Sequence, residues 1–236
     1  MTTHWSVVLA AVDRTSAAAP SALSTLCASY WYPLYAFVRR QGYSPDEAED
    51  LTQAFFERVL EKDYLGNVVG PEKGKFRTFL LVCLKRFLAN EWDRAKALKR
   101  GGGRAHLPIG PGDLDQAEGR YAQEPAHELT AEKLYDRRWA LTVLHGALAR
   151  TEQELRQSGK GKLFDALKQY LVAEHNAPSY AEAGKPLGMT EGAVKVAVHR
   201  LRERYREVLR DEIAATLRDP AEVDEAVRDL FAALAT

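Results

Sequence analysis

An all-α fold, two helical domains joined by a flexible linker with a helix-turn-helix in the second, is predicted by three observations. Apolar residues recur at helical spacing over almost the whole chain, and the alternating pattern of half-buried strands is scarce. A Gly- and Pro-rich stretch, GGGRAHLPIGPGDLDQAEGRYAQEP, begins at Gly101 and interrupts that periodicity. Beyond it, SYAEAGKPLGMTEGAVKVAVHRLRERYREVLR, from Ser179 to Arg210, reads as two helices joined by a tight turn. A chain of 236 residues can bury one core or two small ones, and the interruption favours two. The expected division is a first domain over 1–98, a linker over 99–128, a second domain over 129–218 and an amphipathic tail helix over 219–236.

The first helix runs from Ala22 to Arg40, with a bend expected at Pro33. Its aromatics (Tyr30, Trp31, Tyr32, Tyr35, Phe37) are core candidates. Ser44-Pro45-Asp46-Glu47 starts a second helix, with Ser as cap, Pro at the first position and acids where the helix dipole favours them; it continues to about Lys62. After a loop containing Gly66, Gly70, Pro71 and Gly74, helical spacing resumes from Phe76 to Lys99, with Phe79, Val82, Cys83, Phe87 and Leu88 as expected buried positions. Further helices are expected over Leu129–Gln157 and Leu163–Glu174.

In the Ser179–Arg210 segment, Ser179 caps the first helix, Gly188 supplies the left-handed turn, and Thr190 with Glu191 opens the second. Pro186 lacks an amide donor, so the first helix must end early or kink. Val194, Val198, Leu201, Tyr205 and Leu209 form an apolar docking face, while Lys195, His199, Arg200, Arg202, Arg204 and Arg206 occupy other faces. A helix held by its back in this way can offer cations to phosphates and base edges. Pro220 ends the segment, and Val223, Val227, Leu230, Phe231 and Leu234 give the last helix an apolar side; whether it packs on its own domain or on a partner is left open by sequence.

Net charge is zero, but its distribution is uneven. Between Gln41 and Leu65, Asp46, Glu47, Glu49, Asp50, Glu57, Glu61 and Asp63 face only Arg58 and Lys62. From Pro71 to Arg104, ten basic residues (Lys73, Lys75, Arg77, Lys85, Arg86, Arg94, Lys96, Lys99, Arg100, Arg104) outnumber Glu72, Glu91 and Asp93. The two cysteines, Cys27 and Cys83, lie in apolar helical patterns and are expected as core thiols in a reducing compartment. The opening MTTHWSVVLAAVDRT lacks a basic start and its apolar run is short, so a cytoplasmic protein without membrane insertion is expected.

Enzyme chemistry finds little support. The six histidines are scattered, without a metal-type spacing. KGKF at Lys73 and GKGK at Gly159 lack the Gly and Ser/Thr positions of a phosphate loop. The acids near Asp46 are expected to sit ionised in water, a poor arrangement for acid–base work. No catalytic, cofactor-binding or metal-ligating residue is assigned, no cofactor is expected, and the protein is read as a non-enzyme.

An aromatic helix, then SPDEAEDLTQAFFERVL, then KGKFRTFLLVCLKRFLANEWDRAKALKR, then a linker, then SYAEAGKPLGMTEGAVKVAVHRLRERY closely resembles the extracytoplasmic-function (ECF) sigma factors of the sigma-70 superfamily. The resemblance covers about Ala22 to Arg210. It implies a protein that directs core RNA polymerase to promoters and assists their opening, with the first domain as region 2 and the second as region 4. It also implies that Asp46, Glu49, Asp50, Leu51, Gln53, Phe56 and Leu60 dock on the clamp helices of the beta-prime subunit; an acidic-rimmed amphipathic helix suits such a surface.

By the same resemblance the Phe76–Arg100 helix faces the minus-ten element. Lys75, Arg77, Lys85, Arg86, Asn90, Arg94 and Lys99 are its DNA contacts, Phe76 and Trp92 are candidate stacking aromatics, and the loop from Tyr64 to Lys75 borders a flipped-base pocket. Where many members carry an Arg-Asn pair, this chain has Lys85-Arg86, so the family's base preference does not carry over. For the minus-thirty-five element, Lys195, Val196, His199 and Arg200 match groove-facing positions, and Thr190, Glu191 and Arg202 match phosphate or positioning contacts. Residues near Asp165 to Tyr170 would meet the beta flap, and the linker, with Asp113 and Asp115, would thread toward the active centre. An anti-sigma factor or other regulator is a further partner open to such a protein. The alternative is a helix-turn-helix regulator that binds duplex DNA without polymerase; a small helical enzyme or adaptor would instead gather polar residues in an apolar pocket.

Overall fold

The computed structural model describes residues 19–59, 75–97, 114–124, 129–171, 177–217 and 219–235. Among these residues the structure is helical throughout, with no strand. In chain order the α-helices are α1 (Ala19–Arg40), α2 (Pro45–Val59), α3 (Phe76–Ala97), α4 (Leu114–Tyr121), α5 (Ala131–Gln157), α6 (Gly161–Leu167), α7 (Tyr180–Gly184), α8 (Glu191–Thr216) and α9 (Val223–Leu234). Short 3-10 turns occupy Lys168–Tyr170, Lys185–Leu187 and Pro220–Glu222. None of the described helices is long and apolar enough to cross a membrane. Leu60, Lys99, Asp113 and the Tyr64–Gly74 part of the loop lie outside the described residues, as do the Cys27 and Arg94 side chains.

The chain divides into two compact units, Met1–Leu141 with Ala214–Thr236, and Thr142–Ile213. In the first, α1 keeps Pro33 inside the helix and buries Tyr30, Trp31, Tyr32, Leu34, Tyr35 and Phe37. Losing the amide of one proline costs ~3 kcal/mol, less than the burial of several large side chains returns at about 1.5–3 kcal/mol each. The edge of the Tyr30 ring meets Phe76 with centroids 5.2 Å apart, and Phe55 meets Phe87 at 5.7 Å, so α1, α2 and α3 share one aromatic core. Cys83 lies inside it.

The division falls elsewhere than the sequence suggests. The second half of the expected 99–128 linker carries α4, whose Ala117 is buried and whose Glu118 accepts from Arg39 Nε at 2.7 Å and from the Tyr35 hydroxyl. The Tyr32 hydroxyl donates to Glu124 at 3.1 Å, and Arg138 pairs with the same buried carboxylate. The start of α5 belongs here too, through buried Leu134, Tyr135 and Trp139. So does α9, with Val223, Ala226 and Leu230 buried. Phe231, expected on the apolar side of that helix, is 53% exposed instead.

The second unit is built around Phe164, Leu167, Tyr170, Ala183, Val194, Val198 and Leu201. Its middle is set by local chemistry. Ser179 Oγ accepts from the Glu182 amide at 3.3 Å while the Glu182 carboxylate accepts from the Ser179 amide at 2.9 Å, a reciprocal cap at the start of α7. As the proline requires, α7 ends at Gly184, and a 3-10 turn takes Pro186. Gly188 then adopts φ 62°, a left-handed conformation that costs glycine nothing. Thr190 Oγ1 accepts from the Ala193 amide at 3.3 Å and starts α8.

Candidate functional site

On α2, helical periodicity turns Ala48, Thr52, Phe55, Phe56 and Val59 inward and leaves Asp46, Glu47 and Asp50 exposed, with Glu49, Leu51 and Gln53 half-buried beside them. The acidic rim is therefore a surface. Phe56 is not part of it: at 2% exposure it is committed to the core, and its assignment as a partner contact is corrected accordingly. Ser44 donates to Glu47 from its amide and hydroxyl, both at 2.9 Å, which holds that carboxyl below its ordinary range.

On α3, Val82, Lys85, Arg86, Ala89, Asn90 and Asp93 are exposed, and their spacing places them on one face. Val82, expected in the core, is 42% exposed because it belongs to this face. Of the two candidate aromatics, Phe76 is buried and Trp92 is 56% exposed. Trp92, Lys85, Leu88 and Ala89 line a cleft of about 600 Å³ with Phe37, Gln41, Gly42 and Tyr43. Lys85 is not a free cation: its Nζ lies 2.7 Å from Glu132, which the ammonium holds below the usual carboxylate range.

Two predicted contacts at the start of α3 are turned inward. Arg77 is 8% exposed, with its guanidinium 4.1 Å from the centroid of Trp139 and 3.6 Å from both Asp136 and Asp229. Lys75 pairs with Asp229 and, at 3.5 Å, with Glu225. In this conformation Arg77 cannot reach a phosphate, and its assignment as a DNA contact is corrected. A basic residue inside a basic stretch reads as surface; nothing local announces a tryptophan from a distant helix.

On α8, Val194, Val198 and Leu201 point into the core, and Lys195, Val196, His199 and Arg200 share an exposed face. Lys195 Nζ lies 2.8 Å from Glu191, which holds the ammonium above its ordinary range and keeps it charged. His199, 71% exposed, has Nδ1 3.2 Å from Glu203. Arg202 faces away from this group, donating from Nε and Nη2 to the Tyr170 carbonyl at 3.1 and 2.9 Å, so it supports the unit. Thr190 is occupied as the helix cap.

No family model, curated protein or solved structure matches this chain. The site must be judged by its own chemistry. Beside the α8 face lies an apolar groove of about 710 Å³ floored by Leu155, Leu163, Phe164 and Leu201, with Val196 and Arg200 on its wall. The sequence places Leu155 and Leu163 in helices without showing that they line one groove with Val196. Arg204 is bound to Glu154 at 2.7 and 2.9 Å and stays fully charged as a strut. Among the described residues no group of His, Cys, Asp or Glu could hold a metal ion. The arrangement presents Lys195, Val196, His199 and Arg200 outward on a helix whose other side is anchored in the unit's core.

Proposed function

We propose that this protein is a sigma factor of the extracytoplasmic-function kind, a non-catalytic subunit that brings core RNA polymerase to specific promoters and helps to open them. The observation that carries the reading is the presentation of α8. A capped α7, a left-handed Gly188 and a buried Val194–Val198–Leu201 face leave Lys195, Val196, His199 and Arg200 outward, as a helix-turn-helix presents its recognition helix. Lysine or arginine to guanine is the commonest specific pairing, and Val196 offers an aliphatic surface to a thymine methyl. The acidic rim of α2 (Asp46, Asp50) and the exposed Lys85–Arg86–Asn90–Trp92 surface of α3 supply the two further requirements, a polymerase-docking surface and a face for single-stranded DNA.

Run-off transcription with bacterial core polymerase tests the proposal. Promoter-specific transcripts that appear only on adding the protein support it. Tight sequence-specific binding to duplex DNA by the protein alone, without transcripts, replaces it with a polymerase-independent regulator.

A further inference from the structure

The cations at the start of α3 are held by carboxylates from the far end of the chain. Lys75 Nζ pairs with Asp229 and lies 3.5 Å from Glu225, and Arg77 Nη2 lies 3.6 Å from the same Asp229. Both acids sit on α9, within one helical turn of each other, which lines them up over Lys75. Neither carboxylate is buried with its partner: the Asp229 and Glu225 side chains are 38% and 64% exposed, whereas that of Lys75 is 20% exposed. Buried ion pairs are hard to exchange; pairs with one wet partner are weak and can be.

The rest of the α9 contact is thin. Only Val223, Ala226 and Leu230 are buried, and Phe231 projects outward. A notch of about 260 Å³, lined by Arg77, Lys133, Asp136, Asp229, Ala232 and Ala233, remains beneath the helix. The helix is thus held by three small or medium buried apolar side chains, by half-buried Val227 and Leu234 and by ion pairs with a wet partner, a modest set of contacts for twelve residues.

We propose that α9 is an autoinhibitory latch in which Asp229 and Glu225 stand in for nucleic-acid phosphates on Lys75, withholding this cation until α9 lifts. The inference rests on the reading of α3 as a nucleic-acid face, and it adds a means of regulation to that face. Two acids that occupy Lys75 together resemble successive phosphates in charge, and a longer polyanion displaces them with release of its own counterions.

The test uses the full chain and a fluorescein-labelled, mixed-sequence single-stranded oligodeoxynucleotide, with affinity read by anisotropy at ~0.15 M ionic strength, where exposed charges more than about 8 Å apart are largely screened. Glu225→Gln with Asp229→Asn should tighten binding about three- to five-fold, the size of effect that exposed ion pairs exert. A charge-matched pair away from Lys75, Glu222→Gln with Asp115→Asn, both exposed, should leave affinity within two-fold, roughly the limit for a long-range charge effect screened by salt. Equal gains from both pairs, or no gain from the first, overturn the latch. Glu225→Gln alone is the milder variant should the double variant fail to give a wild-type circular dichroism spectrum, and it should show part of the gain. Run-off transcription separates this proposal from the one it rests on. Transcripts without tighter binding by the latch variant remove the latch and keep the sigma reading; tighter binding without transcripts does the reverse.

Discussion

At the residue scale, two glycines four positions apart test how the turn before α8 is built. A Cβ on Gly184 would lie 2.4 Å from the Met189 carbonyl oxygen and 3.2 Å from Val194 Cγ2, so backbone would have to move. A Cβ on Gly188 meets nothing within 4 Å, and its only cost is the left-handed φ of 62°. Gly188→Ala should therefore cost about 1–2 kcal/mol. Gly184→Ala should cost more, about 3 kcal/mol, at the upper end of overpacking. Urea unfolding followed by circular dichroism orders the two variants, and a larger loss at Gly188 would contradict the packing described. Only one of these effects is readable from sequence. The glycine of a helix stop is announced by its neighbours, whereas a close approach of Met189 to Gly184 depends on how the turn folds back.

The same contrast holds at the scale of elements. Helices whose ends are fixed by adjacent residues were legible: Ser44 and Ser179 each exchange hydrogen bonds with a glutamate three residues on, and Pro186 and Gly188 end α7 as their backbone chemistry demands. Elements fixed from afar were not. The Leu114–Tyr121 segment reads as linker because it is polar, yet Glu118 is held by Arg39 and Tyr35. Arg77 reads as a surface cation, yet it stacks on Trp139 and its carbonyl accepts from the Tyr135 hydroxyl at 3.0 Å, 58 residues away. Removing the Ser179 cap gives a direct check: Ser179→Ala should lower stability by ~1 kcal/mol. The α4 anchor makes a pH prediction. Glu118 is held below its ordinary range, first by the hydrogen bond from Arg39, so its carboxylate favours the folded state. That contribution is fully present above the unfolded glutamate value of about 4.3 and is lost as pH falls through the lower, folded value. The gap in urea midpoint between wild type and Glu118→Gln should thus be widest near neutral pH and close in acid. A gap that persists unchanged in acid would mean that α4 is held by packing alone.

At the scale of the whole molecule, zero net charge is the constraint that matters most. On the proposed function, a neutral chain gains little from the general attraction of DNA, so its affinity would come from a few placed cations, divided between α3 and α8. Weak contacts in two units become effective when a third body holds both in place, because the second contact then forms at high effective concentration. On the proposed function that body is core polymerase, approached through the acidic rim of α2. Docking and reading should then be separable by substitution. Arg200→Ala removes an exposed side chain from the α8 face and leaves the Val194–Val198–Leu201 anchor untouched, so it should lower promoter-specific run-off about ten-fold, the lower end of what one base contact supplies. Binding to core polymerase, measured by surface plasmon resonance, should be unchanged. Asp46→Asn with Asp50→Asn should do the opposite at the first step: slower association with polymerase, by several-fold at low salt and less as salt rises, since rim charges act mainly on encounter. Transcription by that variant should recover when polymerase is raised, because its α8 face is intact, whereas no excess of polymerase should rescue Arg200→Ala. If Arg200→Ala instead loses polymerase binding, the α8 face belongs to a protein interface and the division of roles between the two units fails.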